Sequence, residues 1–522
     1  MRNPKFYPCL LAAVLAITAF TPVLSQGGEA ETVRLSLDQC LRAALENNLD
    51  LVSARKDPAI AEQRLFEAGA SLDGSITVNG QIGGSEFDQD INNMPNIGSF
   101  ESDDVNGSLA WSQLLGYGAT YDVTLNTSDV QTSSSSIQNI LNQFKVRTEN
   151  NLDENMRLRY SMPLLRGFGK EATQIDVLLA RSGVDISNED FRQQAILTLK
   201  STEDAYWDLV AARAAHEVSL EALKLAQDLY EQNKRKVEVG ALAPIDVTQA
   251  EAGVAAREED VIVAEMTVRN FEDNLRRYMA IAPDDTTWFA VLEPTDQASY
   301  QERPVDYEEA ILVALDRRPE IINARRTMRD RELSERVARN GARHSLTLDA
   351  SYTPRETESD LSTQTIPAPP ALPGVPVTSD SASDGQDWTV GMTYGYTIGN
   401  KRAKANYAIA RINREKSELG LRNVEQDIRV DVRSAARAVT SGAKRVVAAR
   451  ANTGLQRKTV EAEQKKYDNG MSTSFEVLRI LNDLSDAQLA EIRAVLDYTK
   501  ALADLERAKG TLLEARGLAL GS

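Results

Sequence analysis

Few residues in this chain of 522 could do covalent or metal chemistry. Histidine occurs only at His216 and His344, so imidazole metal cages and His-based triads have almost no material. The run Gly167-Phe168-Gly169-Lys170-Glu171-Ala172 reads GxGxxA after a strand-like stretch. A dinucleotide site would need a parallel βαβ unit around it, and a very long helical stretch follows instead of a second strand. We read the run as a tight strand-to-helix corner. No zinc, P-loop or nucleophile-elbow signature stands out, so no catalytic, cofactor-binding or metal-binding residue is assigned and no enzyme is expected. The acidic balance, 59 Lys+Arg against 77 Asp+Glu, argues against a nucleic-acid partner, which clustered basic residues would hold. One matched pair of carboxylates remains: Asp246 lies six residues after Gly240, and Glu476 six after Gly470. Each enters a helix start, where a negative charge suits the positive end of the helix.

The elements that position these residues are written twice. Ala44-Leu45-Glu46-Asn47-Asn48-Leu49-Asp50-Leu51 aligns with Ala314-Leu315-Asp316-Arg317-Arg318-Pro319-Glu320-Ile321 at an offset of 270. Further on the offset becomes 230, pairing Lys236 with Lys466, Gly240 with Gly470 and Val247 with Val477. Two tandem repeats follow, 26–282 and 306–522, joined by a Pro-punctuated linker at 283–305. Each opens on a helical segment (36–70 and 306–340), with Ser36 and Asp306 as N-caps and Pro58 and Pro319 kinking or dividing it. Each then gives strands, at about 75–163 and 345–398, and a long helical hairpin, at 171–280 and 401–516. The outgoing stretches 171–239 and 401–469 lack proline and end at Gly240 and Gly470. As helices they would be about 100 Å long. The returning helix of the second repeat carries two stripes, Leu489, Ile492, Leu496, Thr499 and Ala503 beside Leu481, Leu484, Val495, Tyr498, Leu502 and Leu505. Two seams fit a neighbour on each side, as in a cylinder wall, or a buried corner of a plain bundle.

The strands alternate cleanly. Tyr117, Ala119, Tyr121, Val123 and Leu125 form one face, as do Met156, Leu158, Tyr160 and Met162. Leu346, Leu348, Ala350 and Tyr352 do likewise, and so do Trp388, Val390, Met392, Tyr394, Tyr396 and Ile398. A Tyr- and Trp-rich period of two suits a strand between lipid and water. Between these runs, 83–104, 128–153 and 354–387 are rich in Ser, Asn, Asp and Thr, and are expected to be polar loops at the outer ends of the strands. Residues 1–25 read as a secretory signal peptide: Arg2 and Lys5, an apolar run, then Val23-Leu24-Ser25. Cys9 would leave with it, and Cys40 alone allows no intrachain disulfide. No later stretch is apolar enough for a membrane helix, so a crossing would have to be a β-barrel.

The order and duplication of these parts resemble the TolC-like outer-membrane efflux protein family. The residues that carry the likeness are the starts 37–50 and 307–320, and the junctions Met162-Pro163-Leu164-Leu165-Arg166-Gly167-Phe168-Gly169 and Tyr396-Thr397-Ile398-Gly399-Asn400-Lys401-Arg402. The tips Val239-Gly240-Ala241 and Tyr467-Asp468-Asn469-Gly470 complete it. The resemblance implies a mainly α homotrimer, with long antiparallel coiled-coil hairpins forming a periplasmic α-barrel that continues an outer-membrane β-barrel. It implies an exit duct for efflux or type I secretion, in contact with outer-membrane lipid, a periplasmic adaptor (membrane fusion protein) and an inner-membrane transporter. Val239, Gly240, Ala241, Asn469, Gly470 and Met471 would be the adaptor-docking tips. A periplasmic gate would use Asp246, Tyr467, Glu476 and Arg479, with Tyr467 hydrogen-bonded to Asp246. Ser472 stands where the family has a basic residue that strengthens the lock, and Arg479 where it has a second acidic ring position, so a weaker lock and a mixed-charge constriction are expected. The family also has two strands per repeat, whereas the first copy here reads as four. The competing expectation is an exported periplasmic or surface coiled-coil structural protein, which would need no lipid-compatible strands.

Overall fold

The computed structural model describes residues 32–91, 94–138, 143–282, 285–366 and 376–520. The signal-peptide reading and Cys9 fall outside them. The first repeat begins with β1 (Thr32–Leu35) and three short helices, α1 (Leu37–Asn47), α2 (Leu49–Ala54) and α3 (Lys56–Gly69). Ser36 caps α1 in a full capping box with Gln39, and Asn48 caps α2. The chain therefore divides at Asn48 and Arg55, while Pro58 sits harmlessly in the first turn of α3. Four strands follow: β2 (Ser75–Ile91), β3 (Met94–Leu114), β4 (Thr120–Gln138) and β5 (Gln143–Pro163). A single turn, α4 (Lys170–Thr173), leads into the hairpin α5 (Ile175–Glu238) and α6 (Pro244–Met279).

The linker contains β6 (Val291–Pro294), which pairs in parallel with β1. The second repeat runs α7 (Tyr307–Arg317), α8 (Pro319–Gly341), β7 (Ser345–Ile366), β8 (Val377–Gly395), α9 (Lys401–Asp468) and α10 (Ser474–Lys509), and ends on α11 (Leu512–Ala515). Asp306 caps α7 through Glu308 and Glu309, and Pro319 opens α8 at a position where its missing N–H is no loss.

Six strands make one antiparallel sheet in the order β2-β3-β4-β5-β7-β8. The described parts of the polar stretches expected as loops are instead the outer halves of these strands, paired residue by residue up to Gln138↔Gln143 and Thr363↔Val377, while 92–93, 139–142 and 367–375 lie outside the described residues. Backbone ladders do not need apolar side chains, so a strand clear of lipid can be polar on both faces and then reads as a loop. Other boundaries also move. Tyr117 and Ala119 lie in the β3–β4 turn, where Gly118 takes φ +100°, and Tyr396 and Ile398 lie beyond the end of β8. The last long helix stops at Lys509, because Gly510 adopts the left-handed conformation, rather than continuing to 516.

The core sits where the hairpins meet the short helices. Ile428, Val432, Ala436 and Val439 of α9 pack with Tyr498 and Leu505 of α10 and Ile321 of α8. Tyr206, Leu209 and Leu275 pack with Cys40 and Leu292 around the β1–β6 pair. Burying each large apolar side chain contributes roughly 1.5–3 kcal/mol. The linker is held by Asp296, whose carboxylate accepts from Leu37 N (2.8 Å) and Tyr206 OH (2.7 Å). It is held again by Tyr498, which donates to Gln301 O (2.6 Å) and packs its ring at a tilt against Tyr300. α10 touches α9 and α5 on different faces, with Arg445–Asp497 at 3.0 Å on the first side and Lys500–Asp208 at 2.6 Å on the second. The two stripes of α10 are thus two seams, the pattern of a wall.

Candidate functional site

The first functional surface is the sheet. Its registers carry no parity change up to Gln89, so alternate residues stay on one face across all six strands. One row joins Ile76, Trp111, Val123, Leu158, Tyr352 and Trp388. On the same face Val78, Val390, Met392 and Tyr394 are each at least 60% exposed, a continuous apolar belt that nothing in one chain covers. The opposite face is polar and internally paired: Ser161 Oγ donates to Asp349 (2.8 Å), Arg159 bonds the same carboxylate (3.4 Å), and Asn126 bonds Asn155 (2.9 Å). No described helix is long and apolar enough to cross a membrane, whereas this belt has the height and composition to do so.

The second surface lies at the far end of the hairpins. Both outgoing helices end in the same Schellman geometry. Gly240 N donates to Val237 O (2.9 Å) and Ala241 N to Lys236 O (2.7 Å); Gly470 N donates to Tyr467 O (3.1 Å) and Met471 N to Lys466 O (2.8 Å). Gly240 and Gly470 take φ +79° and +73°, which an L side chain resists. Of the proposed docking residues, Val239 and Met471 are 79% and 71% exposed, and Gly240, Ala241, Asn469 and Gly470 are exposed beside them. Ile245 and Phe475, at the starts of the returning helices, add two more uncovered apolar side chains.

The residues expected at a gate gather here, with different partners from those the resemblance implies. Tyr467 is buried, and its hydroxyl donates to Oδ1 of Asn233, not to Asp246. The Asp246 carboxylate accepts from Ser474 Oγ instead (3.2 Å), while its backbone carbonyl accepts from Asn233 Nδ2 (3.2 Å). The reason is position: Asn233 is fully buried about two turns before Gly240, within reach of the phenol. Asp246 still lies close enough to matter. Burial first, then the carboxylates of Asp246 and Asp468, push the Tyr467 phenol above its ordinary value. Lys236 stacks its ammonium over the Tyr467 ring at 3.9 Å, and Gln232 bonds Asp468 at 2.8 Å, so α5 and α9 are fastened by several contacts. Apolar packing of Leu229, Tyr467 and Val477 fills the space between.

Glu476 and Arg479 form an ion pair one turn apart, and Arg479 also reaches Asp483 (3.7 Å). The guanidinium holds the Glu476 carboxyl below the usual range. Ser472 donates to the Glu463 carboxylate (2.5 Å), which also takes Lys466 (2.9 Å); these two bonds hold that carboxyl low as well. Asn233 and Glu463 did not emerge from the sequence reading, and Lys236 emerged only as a repeat match to Lys466. The offset of 230 does place Asn233 against Glu463, two polar residues at equivalent buried positions of the two tips, and that is the signal that could have found them. Among the described residues no group of three or more His, Cys, Asp or Glu is placed to hold a metal.

Comparison with known proteins agrees with this geometry. The TolC outer membrane protein of Vibrio cholerae serotype O1 is 26% identical over 327 residues, covering 59% of this chain and 67% of that protein. The solved CusC structure superposes with a TM-score of 0.63 at 14% identity, covering 94% of this chain and 95% of its own. The outer membrane channel CmeC of Campylobacter jejuni gives 0.59 at 17% identity, covering 93% and 87%. These likenesses concern the fold. The family described as outer membrane efflux protein matches twice, at residues 127–280 and 310–511, one match in each repeat and together about two thirds of the chain. A duplicated hairpin with an apolar-belted sheet at one end and glycine tips at the other is thereby placed: the chain belongs to the outer membrane efflux protein family.

Proposed function

We propose that three copies of the chain assemble into a continuous duct through the outer membrane and periplasm, the exit of a tripartite efflux or type I secretion machine. Membership of the family makes the chain an outer-membrane efflux channel and not an enzyme. The trimer, the docking partner and the gate are the finer reading. The observation that carries it is the sheet: six strands with an uncovered apolar belt and two unpaired edges, β2 and β8, which need copies to close them. The exposed helix faces support the same reading, since Ile262, Val263 and Met266 of α6 and Ile409, Ile412 and Leu419 of α9 have nothing against them in one chain.

The tips are the proposed contact with a periplasmic adaptor, which in turn would meet an inner-membrane transporter. Val239, Gly240, Ala241, Asn469, Gly470 and Met471 offer apolar side chains on a rigid, doubled turn, a surface that a helical hairpin of matching shape can grip. Asp246, Tyr467, Glu476 and Arg479 stand just behind it as the proposed gate. SDS-resistant oligomers in the outer-membrane fraction test the assembly: a mass of three chains is expected. A monomer in that fraction, with no ladder on crosslinking, would overturn it.

A further inference from the structure

The outer-membrane end carries more sheet than a duct of this kind needs, in two directions. It is wider, because β3 and β4 stand between β2 and β5, whereas the second repeat has only β7 and β8. It is also taller. β7 has 22 residues, while a tilted strand needs about 9–11 to cross a membrane.

Both extensions are built features. The β3–β4 turn is docked onto the start of the long helix: Gly169 N donates to Tyr117 O (3.0 Å) and Gln174 Nε2 to Gly116 O (3.2 Å). A Cβ on Gly118 would lie 2.6 Å from Gly167 O, so the turn and the corner fit only with glycine there. The hairpin is therefore part of the frame that launches α5. The extra height has its own signature on the lipid-facing side. Following that face upward, the first charged residue on each strand is a carboxylate: Glu86, Asp103, Asp129, Glu154, Glu356 and Asp384. No Lys or Arg occupies that face of any of the six described strands. Below this collar the face is apolar; above it the strands stay paired but can no longer meet hydrocarbon.

We propose that the sheet closes as an eighteen-strand tube, wide across the membrane and continued beyond it into the medium, so that the periplasmic tips alone set the size limit of the cargo. The inference rests on the trimer proposed above. Six strands per chain is an even number, so β8 of one copy meets β2 of the next antiparallel, with the apolar belts on the same side. At 4.8 Å between strands and a tilt near 40°, eighteen strands enclose a backbone diameter of about 36 Å, against about 24 Å for twelve. The lumen-facing residues of β2 and β8, such as Thr77, Asn79, Thr389 and Gly391, are small or slim and leave that width open. Bulky polar cargo that clears the tips would meet no second filter at the membrane.

Electron cryomicroscopy of the full-length oligomer in lipid nanodiscs tests both levels in one map. The expected result is eighteen strands in the membrane section above six long hairpins. Twelve strands above six hairpins would overturn the wide tube and leave the trimer standing; any other number of hairpins would overturn the trimer itself. On cells, a cysteine at the lumen-facing base of β7, Thr347→Cys, should react from outside with maleimide-dextran of about 10 Å radius, which a lumen of about 12 Å radius admits and one of about 6 Å radius excludes. Reaction with small maleimides alone would overturn the proposal.

Discussion

Replacing Tyr467 by Phe would remove the phenol that joins the two hairpins and leave the Asn233 amide oxygen buried without a donor. An unsatisfied buried acceptor costs about 1–3 kcal/mol. If the closed tip is one of two states, that shifts the balance toward open by roughly 5- to 150-fold per chain. Conductance in planar bilayers reads the shift, and Tyr467→Phe should raise the open fraction strongly. Asn233→Ala should do the same, since it deletes the acceptor and also frees the Asp246 carbonyl. Asp246→Asn should stay close to wild type, because the new amide oxygen can still take the Ser474 hydroxyl. Closed channels from both Tyr467→Phe and Asn233→Ala, or opening by Asp246→Asn alone, would refute the assignment. The pH dependence follows from the same bond. An amide acceptor does not titrate, and a phenol whose pKa is raised in the folded tip keeps its proton through neutral pH. The contact is then weakened only as pH climbs past the ordinary phenol value of about 10. Closure should be flat between about pH 5 and 9 as far as this bond governs it.

Other expectations follow from single contacts. Val123→Arg puts a charge on the apolar belt at a cost of about 2–4 kcal/mol at mid-membrane and should lower oligomer yield, while Thr124→Arg, one residue on but facing the lumen, should not. Arg516→Ala strands Glu203, which is fully buried, and should destabilise the fold by about 3–5 kcal/mol in a urea titration near neutral pH. Burial already pushes the Glu203 pKa up, so the penalty belongs to the ionised form and should shrink as the solution is acidified and the carboxyl protonates. Gly470→Val forces a β-branched residue into φ +73° and should abolish export while oligomers persist in the membrane. Arg479→Gln releases Glu476 from its ion pair and should increase cation preference in bilayers.

What could be read from the sequence was whatever has a period or a repeat. The 64-residue α5 and 68-residue α9 announce themselves by lacking proline and ending at glycine, and the lower strands by an alternation that lipid on one side enforces. The upper strands were hidden for the complementary reason. Asp129–Ser136 on β4 and Glu356–Ser362 on β7 are mostly polar on both faces, so nothing in their side chains distinguishes a ladder from a loop. The β1–β6 pair joins four residues to four others across 259 positions, too short for any periodicity. The acceptor of the Tyr467 hydroxyl was missed because helix phase decides it: Asn233 and Asp246 are both near Tyr467, and only packing shows which one the hydroxyl reaches.

The central claim is an orientation, with the sheet at the cell surface and the glycine tips in the periplasm. Cysteine labelling of intact cells in a Cys9→Ser background measures it, since Cys40 is buried and its thiol is pushed up to about 12 by that burial and by the nearby Asp296 charge. Ala382→Cys, on the exposed outer half of β8, should react in intact cells with a maleimide on a carrier too large to enter the duct. Ala241→Cys, at the first tip, should react only after the outer membrane is permeabilised. The reverse pattern, or labelling of Ala241→Cys in intact cells, would contradict the account.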